Sequence, residues 1–159
     1  MSQTATAPRS AYGQAVYQGL EQLPSNERLS AEQLEVIYAL AYAHVAQRQY
    51  AQALSYFAFL SQYGPTRKHY LAGLALCLQM VDRYEEAIRM YSLIGLLFPD
   101  AVDATLRIAE CQLAMQDYEQ GRKSLELVVQ YAREQGGHAE IAARAQALLA
   151  LVAKEAPAT

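Results

Sequence analysis

The chain has no tryptophan, only two cysteines, and just eight glycines and five prolines in 159 residues. Each shortage excludes something. Two cysteines cannot staple a small secreted scaffold, and Cys77 and Cys111 have no second pair or histidine cluster that would suggest a metal site. They hold equivalent sites in successive units of the chain, and equivalent packed helices lie farther apart than a disulfide spans. Both therefore read as reduced core residues. Low glycine and proline content excludes collagen-like and low-complexity chains. Charged residues are sparse, at 18%, while 53% are hydrophobic, which excludes global disorder. Basic residues are not in excess: 13 Lys and Arg stand against 16 Asp and Glu, a net charge of −3. Phosphate backbones demand the reverse, so no nucleic acid partner is expected. No apolar run approaches the roughly 18 residues of a membrane span, and no membrane partner is expected. Residues 1–10 include Pro8 and Arg9 but no apolar stretch of signal-peptide type, so the chain is expected to stay in the cytoplasm.

Catalytic patterns are missing as well. His44, His69 and His138 lack His-x-x-x-His spacing, and there is no glycine-rich phosphate loop. Glu85, Glu86 and Glu110 have no neighbour in sequence that would tune their acidity, and they read as solvated or helix-terminal charges. No catalytic residue, metal or cofactor is expected, and the chain is not read as an enzyme.

What the chain does contain is a period. Tyr50, Tyr84 and Tyr118 recur at a 34-residue interval. Ala53, Ala87 and Gly121 form a second column at the same interval, and Phe57, Tyr91 and Leu125 a third. Ala41, Ala75 and Ala109 form a fourth, where small residues let paired helices approach closely. Pro65 and Pro99 close the first two units, with Arg133 in the third slot. A 34-residue period with these residue types is the signature of a tetratricopeptide array. The expected fold is all-α: a right-handed solenoid of three repeats, with a helix before them and a capping helix after.

The boundaries follow from local signals. Residues 1–10 are expected to be disordered and 11–154 to form one domain. Residues 11–23 carry a weak helical period, and Pro24 to Leu29 is a linker. Ser30 reads as an N-cap, with Gln33 completing a capping box. The repeats span about 34–67, 68–101 and 102–135, and helices are expected near 34–47, 50–62, 67–81 and 84–97. Gly136-Gly137 precedes a capping helix over 138–154, because a terminal repeat leaves an apolar face to cover. Residues 155–159 read as a frayed tail.

In such an array positions 2, 5, 9 and 12 of each first helix line the concave face. Here these are Glu35, Tyr38, Tyr42 and Val45, then His69, Ala72, Leu76 and Gln79, then Asp103, Leu106, Glu110 and Leu113. Tyr38 and Tyr42 are i,i+4 neighbours on one helical face, and tyrosine offers a large apolar body with a polar tip. This lining suits an extended peptide with spaced apolar anchors. It does not suit an acidic C-terminal carboxylate, which needs a cluster of cationic donors; only Lys68 and Arg107 lie near.

The residues are more specific than the period alone. Leu34, Glu35, Tyr38, Leu40, Ala41 and Tyr42, the Gly73, Leu74, Cys77 run, and Ala109-Glu110-Cys111 resemble the class II chaperones of type III secretion systems, the SycD/LcrH group. The resemblance covers about residues 12–153. It implies a bacterial cytoplasmic chaperone that holds hydrophobic translocator proteins before export. It implies that an extended N-terminal translocator segment with a Pro-x-Leu-x-x-Pro pattern docks in the concave groove. Carried over by position, the pocket residues are Tyr38, Tyr42, Val45, Tyr50, Phe57, Leu60, Leu71, Leu74 and Leu76, beside His69, Leu106 and Leu113 from the groove reading. Homodimerisation through the N-terminal region is also implied, at Val16, Tyr17 and Leu20. Two departures stand out: Val45 where the family commonly has an aromatic, and Gly121 inside a helix, where glycine costs about 1 kcal/mol against alanine. The alternative is a scaffolding module, or a chaperone of a small helical needle-type subunit.

Overall fold

A computed structural model describes residues 7–155 of the chain. Eight helices follow one another among them: α1 (Ala11–Glu21), α2 (Ala31–Ala46), α3 (Tyr50–Tyr63), α4 (Lys68–Met80), α5 (Tyr84–Leu97), α6 (Val102–Ala114), α7 (Tyr118–Gln135) and α8 (Ala139–Glu155). A 3-10 turn (Pro24–Glu27) joins α1 to α2. Each helix from α2 to α7 packs on the next in sequence, and α2 also meets α4 as α6 meets α8.

Local chemistry explains the ends. The Ser30 hydroxyl accepts from the Gln33 amide at 3.2 Å, and the Gln33 side chain accepts from the Ser30 amide at 2.9 Å, so the expected capping box forms. α2, α4 and α6 all stop in the same way. Gln49, Arg83 and Asp117 donate backbone hydrogen bonds to the carbonyls of His44, Leu78 and Gln112, while Arg48, Asp82 and Gln116 donate to Val45, Gln79 and Leu113. That is the Schellman arrangement. It places Arg48, Asp82 and Gln116, one repeat apart from each other, at positive φ, where glycine is the usual occupant. The α3 and α5 ends differ: Gly64 and Phe98 close them, and Pro65 and Pro99 cannot continue a helix.

The core is divided among the helical pairs. Leu34, Ala41, Ala53, Phe57, Leu60, Tyr70 and Cys77 form the first cluster. Leu71, Ala75, Leu78, Ala87, Tyr91, Ile94, Leu97 and Cys111 belong to the second, and Val102, Leu106, Ala109, Leu125, Val128 and Ala145 form the third. The alanine columns are buried because they sit where helices cross. Gly121 belongs to the same design: a Cβ there would come within 2.5 Å of Leu113, so the leucine fills the space that a larger residue would take. The register runs on into α8. Ala145 continues the column of Cys77 and Cys111 by one more repeat and is buried as they are. Burial also holds both cysteine thiols up to about 11, which keeps them protonated and unreactive.

The N-terminal region departs from expectation. Disorder over residues 1–10 is not what the described part shows; residues 1–6 lie outside it. Ser10 caps α1, and Arg9 donates to the Leu97 carbonyl and stacks 3.8 Å over the Tyr17 ring. α1 folds back onto α5, Gly13 against the Leu96 carbonyl and Tyr17 edge-on to Phe98. Val16, Tyr17 and Leu20, expected at a dimer interface, are half-buried against the chain's own second core cluster. The tail expected from 155 lies outside the described residues except Glu155, which ends α8.

Candidate functional site

The 34-residue register brings the first helix of each pair side by side. Position 9 reads Tyr42, Leu76, Glu110 and Arg144 across α2, α4, α6 and α8. Side-chain contacts confirm the alignment: His69 of α4 reaches Glu35 of α2, Gln79 of α4 reaches Glu110 of α6, and Arg144 of α8 reaches the same Glu110. One face of the molecule is therefore a four-helix ladder.

Its first half is aromatic. Tyr38 is the hub. Its ring centroid lies 6.3 Å from Tyr42, 6.0 Å from Phe57, 5.8 Å from Tyr70 and 4.8 Å from His69, the Phe57 and His69 contacts being edge-on. Aromatic pairs favour such tilted and edge-on packing over face-to-face stacking. Tyr42 is 60% exposed although it is large and has apolar neighbours. Tyr38, Val45, Tyr50, Leu74 and Leu76 are half-buried, and His69 is open to solvent. These residues form a surface that a ligand can touch.

Four of the expected pocket residues do not share that surface. Phe57 is 2% exposed and Leu60 fully buried in the first core cluster, Leu71 lies in the second, and Leu106 in the third. Phe57 and Leu60 are on α3, whose inward side faces the first helices, and Leu71 and Leu106 point between helices of adjacent pairs. They support the face from beneath. Leu113 is half-buried against Gly121 and the third cluster, at the far end. His44 and His138 lie elsewhere, stacked on Tyr56 and beside Tyr131 respectively.

Glu35 carries the distinctive electrostatics of this half. Its Oε1 accepts from the Tyr70 hydroxyl at 2.8 Å and lies 3.1 Å from His69 Nε2. The Tyr70 hydrogen bond, then that from His69, holds the carboxyl below its ordinary value, so it stays ionised. Tyr70 responds in the opposite sense: burial first, then its bond to Glu35, pushes the phenol up to about 12. The sequence places Glu35 on the groove face and gives it no role; the available signal is its 34-residue offset from His69.

The second half is closed by charge. Glu110, largely buried, accepts from Arg107 at 3.2 Å and from Gln79 at 3.4 Å, both at Oε2. Arg144 Nη2 comes within 2.6 Å of Oε1 without the angle of a hydrogen bond. The Arg144 guanidinium ties α8 to α6, while Arg107 meets Glu110 within α6. Among the described residues no group of three or more His, Cys, Asp or Glu could hold a metal ion, and no helix is long and apolar enough to cross a membrane.

No family model matches the chain. Solved structures do. PcrH, known from Pseudomonas aeruginosa, in complex with the chaperone binding region of PopD is 28% identical, covering 80% of this chain and 96% of its own, at a TM-score of 0.73. PcrH in complex with the chaperone binding region of PopB is 29% identical over 77% of this chain and 98% of its own, at 0.70. The type III secretion translocator chaperone SycD from Yersinia enterocolitica shares the fold at 22% identity, over 80% of this chain and 88% of its own, at 0.72. The chain thus shares its all-helical fold with these structures, and 28–29% of its aligned residues with the two PcrH complexes.

Proposed function

We propose that the chain is a chaperone of type III secretion translocators. It acts in the bacterial cytoplasm, without catalysis, and binds an extended apolar N-terminal segment of its client on the face built by α2, α4 and α6. One observation carries this reading: Tyr42 and Tyr38 hold an aromatic surface, Tyr42 60% exposed, at the end of the ladder away from the arginine-paired Glu110. PcrH, 28–29% identical, has been crystallised with the chaperone binding regions of two such proteins, PopD and PopB. Burying an exposed aromatic and its apolar neighbours against a client removes apolar area from water, at roughly 25 cal/mol per Å². A client with a membrane-inserting region would otherwise expose such area and aggregate. Groove residues on this reading are Tyr38, Tyr42, Val45, Tyr50, His69, Leu74 and Leu76, with the buried Phe57 and Leu60 fixing their positions. A homodimer is also proposed, in line with the SycD structure described as an alternative dimer. With Val16, Tyr17 and Leu20 occupied inside the chain, the exposed Val36 and Leu40 of α2 are the better-placed residues for it.

The test is a pull-down of the tagged chain from its native host, with mass spectrometry of what co-purifies. The expected result is a near-stoichiometric secreted protein with a long apolar segment, lost when Tyr38 and Tyr42 are both changed to alanine. Buried aromatic anchors at interfaces usually carry at least about 1–2 kcal/mol each, so the double change should weaken binding at least tenfold. Recovery of only a small helical needle-type subunit, or of stable cytosolic enzymes, would overturn the proposal.

A further inference from the structure

The groove's aromatic half contains a feature that apolar anchoring does not use. Glu35 projects at the edge of the Tyr38, Tyr42 and His69 cluster and is about half exposed. Both of its protein partners, Tyr70 and His69, meet the same oxygen, Oε1. Among the described residues Oε2 has no hydrogen-bond partner. Tyr70 is 1% exposed, so its hydroxyl fixes the carboxylate from a rigid base. The carboxylate is thus oriented by the core with one oxygen directed to solvent beside aromatic rings.

Such a constellation has a chemical preference. A carboxylate offers a charge-assisted hydrogen bond to an ammonium or guanidinium, and a tyrosine ring within about 6 Å attracts a cation through its face. An apolar ligand alone would desolvate Glu35 without return, which is unfavourable. We propose that this corner of the groove is a cation subsite: it takes a lysine or arginine side chain of the bound segment, placed next to the apolar residue that Tyr38 and Tyr42 hold. The inference rests on the groove reading above and adds a specificity to it. Neighbouring charges are compatible. Arg67 contributes a weak attraction to Glu35 but lies beyond ion-pair distance, and Arg107 and Arg144, at the other end of the face, are engaged with Glu110. The subsite therefore lies at the α2 end of the face, away from Arg107 and Arg144, and would fix which way the segment runs.

The experiment uses the full chain and short extended peptides, acetylated and amidated so that their termini carry no charge. The parent peptide has three leucines and a norleucine, the norleucine being moved to each position in turn and compared there with lysine. Fluorescence anisotropy is read near pH 8, where an ordinary imidazole is neutral, at about 20 mM and about 500 mM salt. At one position lysine should tighten binding about fivefold over norleucine at low salt, consistent with an exposed ion pair plus a cation–π contact. The gain should shrink at high salt and vanish in Glu35→Gln, whose amide oxygen still accepts from Tyr70 and keeps the helical fold, checked by circular dichroism. No gain at any lysine position, or a gain that survives Glu35→Gln, overturns the cation subsite while parent binding leaves the groove reading standing. Failure of the parent peptide itself to bind the wild-type chain, or its undiminished binding to the Tyr38→Ala, Tyr42→Ala variant, overturns the groove reading and the subsite with it.

Discussion

Replacing Gly73 by alanine opposes two effects of known size. In the middle of a helix alanine is worth about 1 kcal/mol more than glycine. At Gly73, however, a Cβ would stand well inside 3.0 Å of three Phe57 ring atoms, Cε1, Cδ1 and Cζ, against 3.4 Å or more for ordinary contact. The ring would have to move aside as a whole, because three of its atoms are met at once. It has nowhere to go: Phe57 is buried in the first core cluster and touches Tyr38 edge-on. Overpacking of this kind costs about 1–3 kcal/mol, and a clash this deep belongs at the upper end, so the net change should be a loss of about 1–2 kcal/mol. Urea unfolding followed by circular dichroism should show the midpoint fall by roughly 0.5–1 M at constant slope. Gly19 and Gly95 are internal controls, because a Cβ at either meets nothing within 4 Å. Gly19→Ala and Gly95→Ala should each gain up to about 1 kcal/mol. A Gly73→Ala variant as stable as the parent would refute the reasoning, since the ring would then have a second place to sit. The effect bears on function through Tyr38: whatever displaces Phe57 displaces the hub of the aromatic cluster.

Three other outcomes are expected. Gln116→Gly should stabilise the chain by up to about 1 kcal/mol, because Gln116 occupies the left-handed position of a Schellman cap at φ 64 where a side chain is strained; thermal melting that falls instead would contradict it. Tyr70 should be among the last tyrosines to ionise in an ultraviolet pH titration, since burial and Glu35 hold it up to about 12; as its folded value is raised above the ordinary 10.0, its contribution to stability is intact below about pH 10 and lost as pH rises towards 12, and a Glu35→Gln variant should lower that limit. Arg144→Ala should speed backbone hydrogen exchange across 139–155 by up to about fivefold while α2 to α4 are unaffected, because Arg144–Glu110 is the ion pair that joins α8 to α6 among the described residues.

Much of the fold was legible because it repeats. The tyrosine, alanine and proline columns located α3, α5 and α7 to within a residue or two at their starts, and Ser30 with Gln33 set the start of α2. The same columns also held a warning. Phe57 shares its column with Tyr91 and Leu125, and a residue type repeated in every unit is one that builds the unit; all three are buried. Phe57 and Leu60 were legible as core on that ground, although the family resemblance assigns them to the pocket. The Schellman caps left little trace, because Arg48, Asp82 and Gln116 are not glycines and only Asp82 is of a type that favours a positive φ. Arg9 was equally silent: its role depends on the Leu97 carbonyl, 88 residues away, which no local pattern encodes.

The ladder at 42, 76, 110 and 144 explains why binding should concentrate at one end. All four residues occupy the same position in alternate helices, α2, α4, α6 and α8, so the backbone offers a ligand the same frame at each. Only the side chains differ. At Glu110 and Arg144 a client would have to break charge pairs or cover them, and covering a partly buried pair leaves polar atoms without water. At Tyr42 and Leu76 no arginine–carboxylate pair has to be covered, and an exposed phenol ring gains from burial. Arg144–Glu110 thus does two things: it holds the last helix in register and, with Arg107, makes that stretch of the face a poor place for an apolar chain. On the proposed reading, selectivity along the groove comes from what each repeat places at position 9 rather than from any change in the fold.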